Sequence, residues 1–130
     1  MFTQKMTIRI PDTDCAGVLY HGSLFRILND CFETFLESRG ASLKMMFLER
    51  PYILPVVHVE ADYSKPIRLG DQLTIQLRVG ELGNRSLHLE YSLLNEHLES
   101  VAQAKIVHVS VSKETGRPIP LPNEVRDLFA

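Results

Sequence analysis

The chain carries one long helical hydrophobic pattern, and after residue 50 it carries only strand patterns. Leu24, Leu28, Cys31, Phe32 and Phe35 recur at spacings of three and four, while Arg26, Asn29, Asp30, Glu33 and Glu37 take the opposite side. This is the stripe of an amphipathic helix. Ile53–Tyr63, Gln72–Leu82, Ser86–Asn95 and Ser100–Ser112 read as strands. In the second of these, Leu73, Ile75, Leu77 and Val79 alternate with Thr74, Gln76 and Arg78; in the third, Leu87, Leu89, Tyr91 and Leu93 repeat the period of two. A lone apolar stripe has to be buried against something, and only sheet is available. The expected class is α+β, with the helix lying across one face of a mostly antiparallel sheet.

The remaining segments fit that plan. Phe2–Ile10 alternates, with Phe2, Met6, Ile8 and Ile10 on one face, and Pro11 ends it. Gly40 stops the helix after Arg39, and Ser42–Glu49 is a shorter, less regular helical piece. The short connections Arg68–Asp71, Gly83–Arg85 and Glu96–Glu99 favour antiparallel pairing. An unbroken Ile53–Tyr63 strand would extend about 36 Å, long enough for the sheet to curl around the helix. Pro118–Pro122 is an exit, followed by at most one helical turn. No internal repeat interrupts the plan, and residues 1–130 read as one domain with room for one core and no second cofactor-binding unit.

Charge and cysteine content narrow the function classes. Fourteen Lys and Arg are interspersed among sixteen Asp and Glu, which argues against a nucleic-acid surface. No apolar run approaches the roughly 18 residues of a membrane span, so no membrane insertion is expected. Two cysteines, Cys15 and Cys31, make neither a disulfide framework nor a paired zinc set; a reduced, cytoplasmic setting fits.

The densest group of unusual residues is Asp12, Asp14, Gly17, Tyr20, His21 and Gly22, at a junction between loop and helix. A helix start leaves N–H groups unpaired and carries partial positive charge, so it holds an anion or a developing oxyanion. A carboxylate just before it supplies a nucleophile or base. Together these are the minimum for acyl transfer, which needs neither metal nor cofactor. Either aspartate also has the ordinary role of a cap or turn residue. Asp12 lies farther from the helix mouth and is assigned to the turn. His88 and His97 read as surface residues.

The stretch Asp12-Thr13-Asp14-Cys15-Ala16-Gly17-Val18-Leu19-Tyr20-His21, running into the helix, resembles the signature of hotdog-fold acyl-CoA thioesterases of the 4-hydroxybenzoyl-CoA thioesterase group. The likeness continues through Asp62-Tyr63 with Pro66, Gly70-Asp71-Gln72-Leu73, Arg85-Ser86-Leu87 and Ala102-Gln103-Ala104. It implies a hotdog fold: a curved antiparallel five-stranded sheet wrapped around one long central helix. It also implies an acyl-CoA substrate, no cofactor, and a homodimer or homotetramer with sites built between subunits. Carried over by position, Asp14 is the catalytic carboxylate and the His21 N–H polarises the thioester carbonyl. Gly17 allows the tight turn, and Tyr20 borders the substrate. Leu54-Pro55-Val56-Val57-His58 resembles the subset that hydrolyses 1,4-dihydroxy-2-naphthoyl-CoA on the route to naphthoquinones, with His58 placed to recognise a ring hydroxyl. That subset more often has Phe where His21 stands, which leaves short-chain and 4-hydroxybenzoyl-type acyl groups as alternatives. A non-catalytic acyl-binding or acyl-carrier-protein-associated hotdog protein is the alternative of another class. Arg85 and Lys105, with Arg68 and Lys65 behind them, are the cations for the CoA phosphates.

Overall fold

The computed structural model describes residues 1–130. In order, it contains β1 (Phe2–Thr7), α1 (His21–Ser38), a π-helical turn (Met45–Glu49), β2 (Tyr52–Ile53), β3 (Val56–Tyr63), β4 (Gln72–Leu82), β5 (Ser86–Leu94), β6 (Ser100–Val109), β7 (Val111–Ser112) and α2 (Asn123–Phe129). Five strands form one antiparallel sheet in the order β1-β4-β5-β6-β3, and β2 pairs with β7 beside it. The helix pattern and the period-two pattern meet in one core. Leu24, Leu28 and Leu36 of α1 are fully buried, as are Leu87, Leu89 and Leu93 of β5. Burying one such leucine side chain contributes about 1.5–3 kcal/mol. The α+β hotdog arrangement expected from the sequence is therefore the one adopted.

Aromatic contacts fix the helix on the sheet. Phe35 meets Phe2 of β1 edge-on at 5.6 Å, and Phe32 stacks on His108 of β6 at 4.9 Å. His108 is a buried histidine that the sequence patterns did not single out. Its Nδ1 lies 3.0 Å from the carbonyl of Leu54, and a carbonyl only accepts, so Nδ1 carries the proton. Burial lowers the pKa of the imidazole, which keeps the ring neutral inside the apolar core.

Four boundaries differ from the sequence reading. β1 ends at Thr7, and Ile10 turns outward, 76% exposed, because a 3-10 turn begins there. The run expected as one strand from Ile53 to Tyr63 is broken at Leu54–Pro55. Proline has no N–H for the ladder, and its carbonyl instead accepts from Val109 at 3.0 Å. Ser110 makes the matching break between β6 and β7, donating its N–H to the Arg85 carbonyl. The tail is more than a single turn: α2 buries Val125 and Phe129, and Glu124 is held by Arg50 at 2.9 Å and by the Tyr52 hydroxyl.

The two sheet edges are unequal. β3 is exposed along nearly its whole length, with Val56, Val57, Val59 and Tyr63 all open to solvent and no strand on its outer side.

Candidate active site

Two aspartates separated by one residue meet different fates. Asp12 is only 4% exposed. One of its oxygens accepts the Arg9 N–H at 2.8 Å and the other takes the Arg26 guanidinium, which also reaches Asp30 at 3.0 Å. Both oxygens are committed to holding the turn against α1, as assigned from the sequence. Asp14 is exposed. Its Oδ1 accepts the Ala16 N–H at 2.8 Å, and its Oδ2 has no partner in the chain.

The loop around Asp14 is rigid for local reasons. Thr13 bridges Leu19, the Asp14 N–H donates to Val18 at 2.9 Å, and Gly17 closes the turn at φ +76°, a backbone region that favours glycine. The small hairpin is then pinned to the chain before β4, since Leu19 N–H donates to Ile67 and Leu69 N–H donates to Gly17.

Next to it, α1 starts bare. Tyr20 is the N-cap without a side-chain cap, and there is no acidic residue in the first turn. The His21 and Gly22 N–H groups have no backbone acceptor, as expected of the first donors of a helix. They form an electropositive mouth with nothing of opposite sign in their own turn. Tyr20 packs its ring over Gly22, where a Cβ would lie 2.4 Å from the Tyr20 Cε2, and against the His21 ring at 4.5 Å. A side chain at Gly22 would therefore displace the exposed Tyr20 ring.

Asp14 and His21 border one open cleft of about 400 Å³. Val18, Leu19, Tyr63 and Ile67 are its apolar lining. The rim is tied down: Ser64 donates its hydroxyl to the Ser100 carbonyl at 2.9 Å, and the Lys65 ammonium pairs with Glu99. A carboxylate and an apolar wall in one cleft, at the start of a helix whose first amides are free, can bind an acyl group, attack or hydrate its carbonyl carbon, and hold the resulting oxyanion.

The remaining sequence candidates lie elsewhere within one chain. Gly17 shapes the loop and Tyr20 covers Gly22, so both act on the cleft from behind. His58 alternates with Tyr63 onto the outer face of the sheet, where its Nε2 lies 3.1 Å from Glu60. Lys105 is on that same outer face, opposite both Glu60 and Glu90. Arg85 sits at the far end of the sheet. Tyr63 pairs with Ala102, whereas the Arg85 carbonyl bonds to Ser110, about 26 Å further along at 3.3 Å per residue. The sequence reading did not assign Tyr63 to the site; its place in the Asp62-Tyr63-x-x-Pro66 stretch was the available signal.

Comparison with known proteins agrees with this geometry. A family model described as the thioesterase-like superfamily matches residues 8–129. The 1,4-dihydroxy-2-naphthoyl-CoA hydrolase of Synechococcus elongatus is 36% identical over 124 residues, covering 95% of this chain and 90% of that protein. That of Rippkaea orientalis is 35% identical over 117 residues, covering 88% and 85%. Among solved structures, a 1,4-dihydroxy-2-naphthoyl-CoA thioesterase from Synechocystis superposes with a TM-score of 0.91 at 26% identity, covering 98% and 94% of the two chains. Fold, helix start and matched span coincide, and the chain belongs to the thioesterase-like superfamily of hotdog proteins.

Proposed function

We propose that the protein hydrolyses 1,4-dihydroxy-2-naphthoyl-CoA to the free aromatic acid and CoA, as a step toward a naphthoquinone. The observation that carries the reading is the free Oδ2 of Asp14 in the same cleft as His21, the first residue of a helix whose first two amides, His21 and Gly22, have no backbone acceptor. The names of the relatives supply the acyl group. Asp14 either attacks the thioester carbon itself, forming a mixed anhydride that water then cleaves to the free acid and the regenerated carboxylate, or deprotonates a water that attacks the carbon directly. The carbonyl oxygen takes up negative charge facing the amides, and CoA leaves as its thiolate. A thioester is activated enough for a carboxylate or a carboxylate-held water to attack.

The site is completed by a second copy of the chain. One protomer leaves the cleft open and the β3 edge unpaired with its valines exposed, a surface that natural sheets normally cover. Two β3 edges pairing antiparallel about a two-fold axis would bring the start of the second copy's β3 beside this chain's Tyr63. The end of the sheet carrying Arg85 would come with it, so the second copy's Arg85 would serve this cleft's CoA phosphates. No helix is long and apolar enough to cross a membrane. The two free thiols support a cytoplasmic setting.

A panel of CoA thioesters, with released CoA read by a thiol reagent, tests the reading. Aryl thioesters, with 1,4-dihydroxy-2-naphthoyl-CoA first, are expected to turn over faster than fatty ones. A preference for short-chain or 4-hydroxybenzoyl groups would reassign the substrate. Binding without release would make the protein an acyl carrier rather than an enzyme.

A further inference from the structure

We propose that the Tyr63 hydroxyl reads a ring hydroxyl of the acyl group, which makes Tyr63 a specificity-determining residue of the cleft. The inference rests on the thioesterase reading above and names the residue that selects a hydroxylated aromatic acyl chain.

The first step is an account of the polar groups around the cleft. Asp14 is occupied by the chemistry. The Ser64 hydroxyl is spent on the Ser100 carbonyl, and the Lys65 ammonium is spent on Glu99. The His21 ring is packed against Tyr20. The Tyr63 hydroxyl is the one hydroxyl on the cleft wall that takes part in none of the chain's hydrogen bonds.

The second step is placement. Tyr63 ends β3 opposite Ala102 and on the same face as Ala61, whose partner Ala104 is buried toward the helix. The ring therefore rises on the helix side of the sheet, 47% exposed, in the cleft that the apolar Val18 and Leu19 also line. His58, the sequence candidate for the same task, alternates to the other face and is already paired with Glu60.

The third step is chemistry. A tyrosine phenol is protonated at neutral pH, and partial burial pushes that of Tyr63 further in the same direction. A neutral phenol both donates to and accepts from a ring hydroxyl, and its flat face packs on an aromatic ring. A site that hydrogen-bonds a substrate hydroxyl rejects the analogue lacking it, because the buried partner is then left unpaired.

The test compares 1,4-dihydroxy-2-naphthoyl-CoA with 2-naphthoyl-CoA, on the wild type, Tyr63→Phe and Tyr63→Leu. Tyr63→Phe is expected to lower kcat/KM about tenfold on the hydroxylated thioester, the ratio for one hydrogen bond, and to leave 2-naphthoyl-CoA unchanged. Tyr63→Leu, which also removes the ring, is expected to lower both. If 2-naphthoyl-CoA binds without turnover, its inhibition constant supplies the same comparison and should not move in Tyr63→Phe. An unchanged kcat/KM on the hydroxylated thioester in Tyr63→Phe overturns the proposal, and so does an equal loss on both thioesters. A wild type that releases no CoA from the hydroxylated thioester overturns the assignment of that substrate, and with it the proposal that rests on it. A wild type that is active on both and indifferent to Tyr63→Phe overturns only the role of Tyr63.

Discussion

β5 and β3 are both apolar strands of one sheet, and they are used in opposite ways. In β5, every second residue from Leu87 to Leu93 is buried, and partners flank it on both sides. In β3, the valines on either face are open and one edge carries no strand. The first strand is satisfied by its own chain; the second is satisfied only by something added. Alternation whose apolar positions are buried marks a strand that finishes the protomer. β3 alternates from His58 to Tyr63 but leaves Val59 and Tyr63 exposed beside the open Val56 and Val57, and such an edge marks a surface that the protomer leaves for another copy.

Substitutions can separate these two uses. Leu89→Ala in β5 opens a cavity under α1 and is expected to cost about 2–5 kcal/mol, lowering Tm by on the order of 10 °C. The mass seen by analytical ultracentrifugation below that transition should not change. A stable Leu89→Ala protein would mean that β5 is not the centre of the core. The paired change Val57→Lys with Val59→Lys is expected to do the reverse. It sets like charges across the β3 edge, halves the mass of the assembled species and leaves the protomer folded by circular dichroism. CoA release should then fall by about 10²-fold, as for other losses of positioning around a reacting group. Full activity from a monomeric variant would break the comparison, since the cleft would then be complete within one chain.

How much could be read in the sequence follows the same division. The helix stripe and the period-two strands were legible because each pattern is satisfied locally, and the Leu24, Leu28 and Leu89 positions are buried where they were expected. Asp12 and Asp14 were separable by their distance from the helix mouth, and Gly17 by the turn it must close. The rest depended on contacts distant in sequence. The break at Pro55 becomes visible only once β6 is alongside to demand an N–H. α2 was hidden because Pro120 and Pro122 read as an exit, while its anchors, Arg50 and Tyr52, lie over 70 residues earlier. His108 gave no signal of its own, because a histidine in an apolar strand declares itself only through its stack on Phe32 and its bond to Leu54. His58 and Lys105 were read as site residues from their neighbours in sequence, and strand alternation places them on the outer face of the sheet, away from the cleft of their own chain.

The account stands on the uncommitted carboxylate of Asp14, and the kcat of Asp14→Asn tests it most directly. Asparagine keeps the size and can still accept the Ala16 N–H that holds the loop, but it is a far poorer base and nucleophile. The expected result is a loss of 10²-fold or more in kcat on 1,4-dihydroxy-2-naphthoyl-CoA, with Tm unchanged. An Asp14→Asn enzyme that turns over at the wild-type rate would contradict the account.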